Sequence, residues 1–326
     1  MNSDAPYSGL FPEIVLDAIE AVGHRCDGRV LALNSYENRV FQIGLEEGEP
    51  VVAKFYRPDR WTDAAIREEH AFAGELAAQE IPVVAPLRRD GISLHVHNGF
   101  RYAIFPRRGG RWPELGVSDD REWVGRFLGR IHAVGRAGRF QDRARLSVED
   151  LGRRSRDFVL EGDWMPDYLA TKYADLTDEL LDEVEARTAH WGGAALGRIL
   201  GDCHRGNILW TDLGPHFVDL DDCLTGPAIQ DLWMLLAGGE QEMRSELRDL
   251  LKGYEQFLPF DRSEFVLIEP LRALRMIHYS AWLARRWHDP AFPLAFPWFA
   301  EPRYWEQHYR ALEDQLAAVV GPALEL

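Results

Sequence analysis

The sequence predicts an α+β chain of two lobes, a small antiparallel sheet carrying one main helix and then a larger, mostly helical part. Three observations carry that prediction. Apolar residues between Gly28 and Tyr56 are grouped as in strands, those between Thr62 and Glu80 follow helical spacing, and helical spacing dominates beyond Arg111.

In chain order, Pro12–Val22 reads as a short amphipathic helix. Val30–Leu33 is a first strand, and Val40, Phe41 and Ile43, a Glu/Gly turn at 46–50, and Val51, Val52, Ala53 and Phe55 make a hairpin. Thr62 offers a hydroxyl N-cap to a helix ending near Glu80. Strands are expected around Val83–Leu87 and Gly99–Phe105, which makes five strands and one helix. Pro106–Arg111 (PRRGGR) breaks the pattern, so the small lobe is assigned to residues 1–106 and the helical lobe to 107–326. There, helices are expected at Asp119–Gly135, Asp175–Ala189, Ile229–Leu236, Met243–Phe257, Ser263–Trp287 and Tyr304–Val320. Short strands should flank the polar loop 201–207 and fall at 216–220.

Composition narrows the function classes. The 326 residues are 46% hydrophobic and 28% charged, ordinary for a globular enzyme. A net charge of −16 argues against nucleic acid or anionic membrane as partner, because both require clustered cations. Cys26, Cys203 and Cys223 are too scattered for a disulfide framework or a zinc site. The N-terminus lacks a basic region followed by an apolar core, and no apolar run is long enough to span a bilayer. A soluble, cytoplasmic monomer is expected.

Residues 200–220, LGDCHRGNILWTDLGPHFVDL, carry the chemistry. Asp202 and Asn207 share a Gly-flanked polar turn, and Asp219 follows the apolar pair Phe217-Val218. Two carboxylates and an amide oxygen gathered this way are costly to bury without a cation, so the cluster implies Mg²⁺. Asp202 is the proposed base, with Asn207 and Asp219 as metal ligands, the arrangement phosphoryl transfer requires. Asp221 and Asp222 extend the acidic run; one could assist the metal or meet a cationic substrate, but solvated loop carboxylates are the preferred reading. Asp231 either stabilises a helix N-terminus or braces the loop. His132 reads as a core histidine, His204 as a loop-shaping residue, and Cys203 as a buried thiol or an oxidation-sensitive one.

Only three of the 37 basic residues are lysines, and Lys54 alone lies among strand residues, in VVAKFY. Alone it could be an edge-strand gatekeeper; with the 200–220 loop it becomes the lysine over the ATP phosphates. Its carboxylate partner comes from the next helix. Glu69 is followed by Phe72, Ala73 and Leu76 on an apolar stripe, whereas Glu68 shares its face with Glu75, so Glu69 is preferred. The turn Asn34–Arg39 lacks a G-x-G-x-x-G pattern, yet Ser35 and its backbone could still meet phosphate; a plain polar hairpin turn explains its composition as well.

LNSYENRVFQ, VVAKFYRP, EEHAFAGEL, GDCHRGNILW, FVDLDD, GPAIQDLWMLL, IEPLRALRM and DPAFPLAFPWF together resemble the aminoglycoside phosphotransferase and choline kinase branch of the protein-kinase-like fold, and within it the bacterial stress-response protein kinases. The resemblance runs nearly end to end. It implies an ATP- and Mg²⁺-dependent serine/threonine protein kinase of an oxidative or envelope stress response, with protein Ser/Thr acceptors that include the chain itself. It also implies Asp202 as proton acceptor, Asn207 and Asp219 as Mg²⁺ ligands, Ser35 as an ATP contact and Lys54 as the phosphate lysine. Where the wider branch has His-Gly-Asp, this chain has Leu200-Gly201-Asp202. Only twelve positions separate Asp219 from Asp231, too few for a long activation segment, so acceptor choice falls to the helical lobe, where PAFPLAFPWF (Pro290–Phe299) offers either an apolar wall or core packing. A small-molecule hydroxyl kinase would use the same catalytic residues; an ATP-sensing scaffold would not need all four of Lys54, Asp202, Asn207 and Asp219.

Overall fold

The computed structural model describes residues 6–189 and 196–326; the parts of the expected lobes at 1–5 and 190–195 lie outside the described residues. The architecture is α+β and bilobal, as the sequence predicts. Helix α1 (Pro12–Ala21) precedes β1 (Cys26–Ala32), β2 (Arg39–Leu45) and β3 (Val51–Phe55). Helix α2 (Asp63–Ala78) follows, then β4 (His95–His97) and β5 (Phe100–Pro106). The antiparallel strands lie in the order β1-β2-β3-β5-β4. Thr62 caps α2 as expected, its Oγ1 accepting from the Ala65 N–H at 3.1 Å.

One strand falls elsewhere than expected. Val83–Leu87 is not a strand of this sheet; Val83 only bridges Phe217, while the fifth strand is His95–His97. Pro82 and Pro86 remove two ladder donors from the apolar run. The segment instead straps the lobes, with Val84 N–H donating to Phe217 O (3.1 Å) and Leu87 N–H to Ile104 O (2.7 Å).

The second lobe contains α3 (Ser118–Arg136), α4 (Arg154–Glu161), α5 (Asp167–Thr188), α6 (Ile229–Trp233), α7 (Glu240–Tyr254), α8 (Ile268–Arg285), α9 (Ala291–Ala295) and α10 (Pro302–Val320). Helix α4 is additional to the sequence expectations, α5 starts eight residues earlier, and the turn before α8 is a 3₁₀ segment, Arg262–Leu267. Between α5 and α6 run β6 (Gly197–Ile199), β7 (Ile208–Thr211), β8 (Gly214–Phe217) and β9 (Leu224–Gly226), paired as β6-β9 and β7-β8. The loop 201–207 therefore sits between two strands that belong to different hairpins.

The smaller core gathers Val15, Ile19, Ile43, Ala53, Phe55 and Ile104 under the sheet. The larger one fills the helical lobe and extends to Phe72, Ala73 and Leu76 of α2, so α2 is seated on both lobes. Helices α3 and α7 pack backbone to backbone. A Cβ at Gly125 would collide with the Leu250 carbonyl, and one at Gly253 with the Glu122 carbonyl.

Candidate active site

Strand alternation sets the first half of the site. Ala53 and Phe55 enter the smaller core, so Lys54 between them points to the opposite face. It is only 6% exposed, and its Nζ lies 2.8 Å from Asp219 Oδ1, 3.1 Å from Asp221 Oδ1 and 3.6 Å from Glu69 Oε1. Burial works against its charge, but Asp219, Asp221 and Glu69 outweigh it and hold the ammonium well above its ordinary pKa. Three carboxylates share one cation. Glu69 is the furthest of them, and burial pushes it up to about 7 despite Lys54.

Glu69 thus meets Lys54, and Glu68 does other work. Its carboxylate accepts the backbone N–H groups of Gln141, Asp142 and Arg143 at 2.7, 2.8 and 2.8 Å, pinning α2 to the helical lobe.

The second half of the site is the loop after β6. Gly201 has φ +81°, and a Cβ there would strike the Asp222 carbonyl. The fully buried Asp231 carboxylate holds the loop from behind, Oδ2 accepting from Leu200 N–H at 2.7 Å and Oδ1 from Gly201 N–H at 2.8 Å. His132 Nε2 lies 2.9 Å from Asp231 Oδ2, and its Nδ1 lies 3.0 Å from the Tyr254 hydroxyl. His132 is therefore a buried bracing residue, and Leu200 fills the core at 6% exposure.

Asp202 follows, with its side chain one-quarter exposed. Arg275 donates from Nη1 to Oδ1 at 2.7 Å, and His204 Nε2 stands 3.4 Å from Oδ2. Burial alone would raise the carboxyl, but the His204 hydrogen bond and the Arg275 charge hold it well below the usual range. Asn207 donates Nδ2–H to the Asp202 carbonyl at 3.0 Å, which commits the amide nitrogen and leaves the amide oxygen as the acceptor.

The β7–β8 hairpin delivers Asp219 to Lys54. Asp219 has φ +56°, a left-handed conformation that Asp tolerates better than most residues, and its side chain is 49% exposed. Asp221 corrects an expectation. It is buried, not solvated, and is paired with Lys54 and Arg60 while accepting from Asn38 Nδ2 at 3.1 Å. Lys54, Arg60 and Arg143 hold its carboxyl well below the usual range although burial opposes them. Only Asp222, which also meets Arg60, keeps substantial exposure.

Ser35 lies half-buried in the turn between β1 and β2, and among the described residues no side-chain hydrogen bond joins it to the Lys54 cluster. Neighbouring residues anchor that turn. Asn38 accepts from Arg57 N–H at 3.1 Å while bonding Asp221, and Glu37 accepts from Trp282 Nε1 at 2.7 Å and pairs with Arg286 at 2.5 Å. Asp289 adds pairs with Arg57 (2.8 Å) and Arg39 (3.1 Å), and Tyr36 packs on Phe292 and Phe296. Pro290–Phe299 thus packs against the turn and against Trp282.

Asn38, Asp221 and Arg275 were not singled out as site residues by sequence. The signal for Arg275 is a stripe, Arg272, Arg275, Met276 and Tyr279 at helical spacing on α8. Cys203 and Cys223 are buried, and burial raises both thiols far from the reactive range.

The donor set available to a cation is oxygen only: the half-exposed Asp219 carboxylate and the Asn207 amide. Glu69 Oε2 is a buried oxygen without a hydrogen-bond partner, whereas Asp221 Oδ1 meets the Lys54 ammonium at 3.1 Å. Among the described residues no three His, Cys, Asp or Glu side chains enclose a metal alone. Two protein oxygens completed by phosphate and water suit Mg²⁺. No helix of the described residues is long and apolar enough to cross a membrane.

Residues 29–267 match the phosphotransferase enzyme family. Stress response kinase A of Escherichia coli O157:H7 is 45% identical over 326 residues, covering 100% of this chain and 98% of that protein. Serine/threonine protein kinase RdoA of Salmonella typhimurium LT2 is 45% identical over 328 residues, covering 100% and 99%. Among solved structures, amicoumacin kinase hAmiN in complex with AMP-PNP, Ca²⁺ and Ami shares the fold at TM-score 0.75 and 20% identity, over 93% of each chain. A microcompartment-associated aminopropanol kinase does so at TM-score 0.69 and 19% identity, over 94% of this chain and 98% of that one.

Proposed function

We propose, since this chain belongs to the phosphotransferase enzyme family, that it transfers the γ-phosphoryl group of ATP to serine or threonine hydroxyls of proteins, with Mg²⁺, in a bacterial stress response in the cytoplasm. The observation that carries the reading is Lys54, held by Glu69 and Asp219 on one side of the cluster whose other side is the Asp202–Asn207 loop.

In this reading Lys54 takes the phosphates and Glu69 fixes its ammonium. Asn207 and Asp219 hold the metal, and Asp202 orients the acceptor hydroxyl and takes its proton. Bound Mg²⁺ supplies charge neutralisation on the phosphate oxygens. The low basicity of Asp202 suits a loose transition state, in which the hydroxyl proton leaves late. Ser35 and the anchored β1–β2 turn close over the nucleotide, and the lobes divide after residue 106. A protein acceptor is supported by the name of a relative matched along its whole length.

A small hydroxyl acceptor is the second reading. It is favoured by the likeness to small-molecule kinases and by a cavity of about 330 Å³ beside His204 and Arg275, the size of small-ligand sites. The test is transfer of label from γ-labelled ATP to a Ser/Thr protein mixture against a panel of small alcohols, with and without chelator. Chelator-sensitive labelling of protein is expected; labelling of small alcohols alone overturns the protein assignment.

A further inference from the structure

The cavity beside Asp202 differs in charge from the chain as a whole. Its walls are Trp233, Met234, Met276 and Tyr279, and its polar members are Arg272, Arg275 and His204. No carboxylate lines it among the described residues, although the chain carries −16 overall. Arg272, Arg275, Met276 and Tyr279 occupy one face of α8, so a single helix turns two guanidinium groups towards the place where an acceptor must enter.

Neither guanidinium is spent. Arg275 uses Nη1 for Asp202, and among the described residues its Nε and Nη2 donate to no oxygen. Arg272 gives Nε to Glu269 (3.1 Å) and Nη2 to the Met243 sulfur, leaving Nη1 without a partner among the described residues, and it lies over the Trp233 ring. These free donors line an open cavity with apolar walls, and both side chains are part-exposed, 44% for Arg275 and 30% for Arg272, so an entering anion can reach them and form charge-assisted bonds. An ammonium group placed here would meet two like charges and no carboxylate but Asp202 itself.

We propose that this cavity selects an acceptor bearing an acidic group beside its hydroxyl, the acid bridging Arg272 and Arg275 while the hydroxyl rests on Asp202. Resting on the protein-kinase reading above, the acceptor is a Ser or Thr with an Asp or Glu close by in sequence. A small hydroxy acid presents the same chemistry and forms a separate arm of the test. Global acidity points the other way, towards basic acceptors, but it acts through solvent and salt over long distances, whereas the two arginines act at contact.

The experiment compares kcat/KM on Ser peptides that carry Glu, Gln or Lys at each of the three positions before and after the serine, alongside a hydroxy acid and an amino alcohol. Wild type should prefer the best Glu peptide over its Gln counterpart by about ten-fold or more, the scale of one charge-assisted hydrogen bond. In Arg275→Gln the Glu/Gln ratio should fall towards one and in Arg275→Lys it should persist in part; the ratio cancels any general loss of kcat. Equal or better use of Lys peptides by wild type overturns the inference while leaving the kinase reading intact. Labelling of the hydroxy acid with no peptide labelled overturns the protein assignment and supports the cavity's selectivity. Labelling of the amino alcohol alone overturns both.

Discussion

Lys54 Nζ and Asp219 Oδ1 lie 2.8 Å apart, joining the third strand of the sheet to the residue that follows the β7–β8 hairpin of the helical lobe. The same ammonium neutralises the buried Glu69 and Asp221. Replacing it by Met leaves the buried Glu69 without its ion-pair partner and Asp221 with only Arg60 and Arg143. Lys54→Met should therefore lose about 3–5 kcal/mol in urea denaturation. Phosphoryl transfer should fall by roughly 10²–10³-fold, the scale of losing one preorganised charge contact.

Asp231 predicts a different phenotype. Its two oxygens receive the Leu200 and Gly201 N–H groups together with His132. An amide can accept only on one side, so Asp231→Asn turns a donor towards a donor. The expected cost is about 2–4 kcal/mol of stability. Loosening of the Asp202 loop should lower kcat while KM for ATP stays near wild type, which steady-state kinetics reads directly.

The adjacent glutamates of α2 should separate chemistry from scaffolding. Glu69→Gln keeps the shape and removes the charge that fixes Lys54. It should fold within about 1 kcal/mol of wild type, since the buried carboxylate is already costly, and still lose turnover. Glu68→Ala deletes the acceptor for three backbone N–H groups at 141–143 and should lose about 2–4 kcal/mol with the chemistry largely intact. Paired melting curves and initial rates distinguish them.

His70 supplies a pH dependence. It is buried between the Tyr56 hydroxyl (2.7 Å) and Ser93 Oγ (2.8 Å), and burial, followed by Lys54, Arg88 and His95 against the weaker pull of Asp221, pushes it down to about 3. The unfolded chain binds this proton from about pH 6.5 and the folded chain only near 3. Stability from His70 is therefore full above 6.5 and is lost as the pH falls towards 3, at about 1.4 kcal/mol per pH unit. Glu69, raised to about 7, acts oppositely and gains stability between about 7 and 4.5. Urea midpoints of wild type and His70→Asn at pH 7, 6 and 5 should diverge by that slope, Glu69 cancelling between them.

Much of this was legible in the chain because local pattern and site chemistry coincide. A lysine flanked by core-facing strand residues must leave the core, and Glu69 lies on the apolar stripe of its helix whereas Glu68 does not. Long-range pairing was not legible. Arg57 and Asp289, 232 positions apart, and Asn38 and Asp221, 183 apart, carry no local signature of meeting. Asp221 looked solvated because its neighbours in sequence are acidic; Lys54, Arg60 and Arg143, all distant in sequence, make its burial tolerable. The strand at His95–His97 is short and polar, while the apolar Val83–Leu87 is preceded by Pro82 and interrupted by Pro86, so hydrophobicity pointed to the wrong segment.

The most direct test of the phosphoryl-transfer site is label transfer from γ-labelled ATP to protein, with Mg²⁺, by wild type, Asp202→Asn and Asp219→Asn proteins whose circular dichroism is unchanged. Wild type should label serine or threonine, both variants should fall by at least about 10³-fold, and only Asp219→Asn should also lose metal-dependent nucleotide binding. Full activity in either variant, or identical nucleotide and metal affinity in Asp219→Asn, contradicts the roles assigned to the two aspartates.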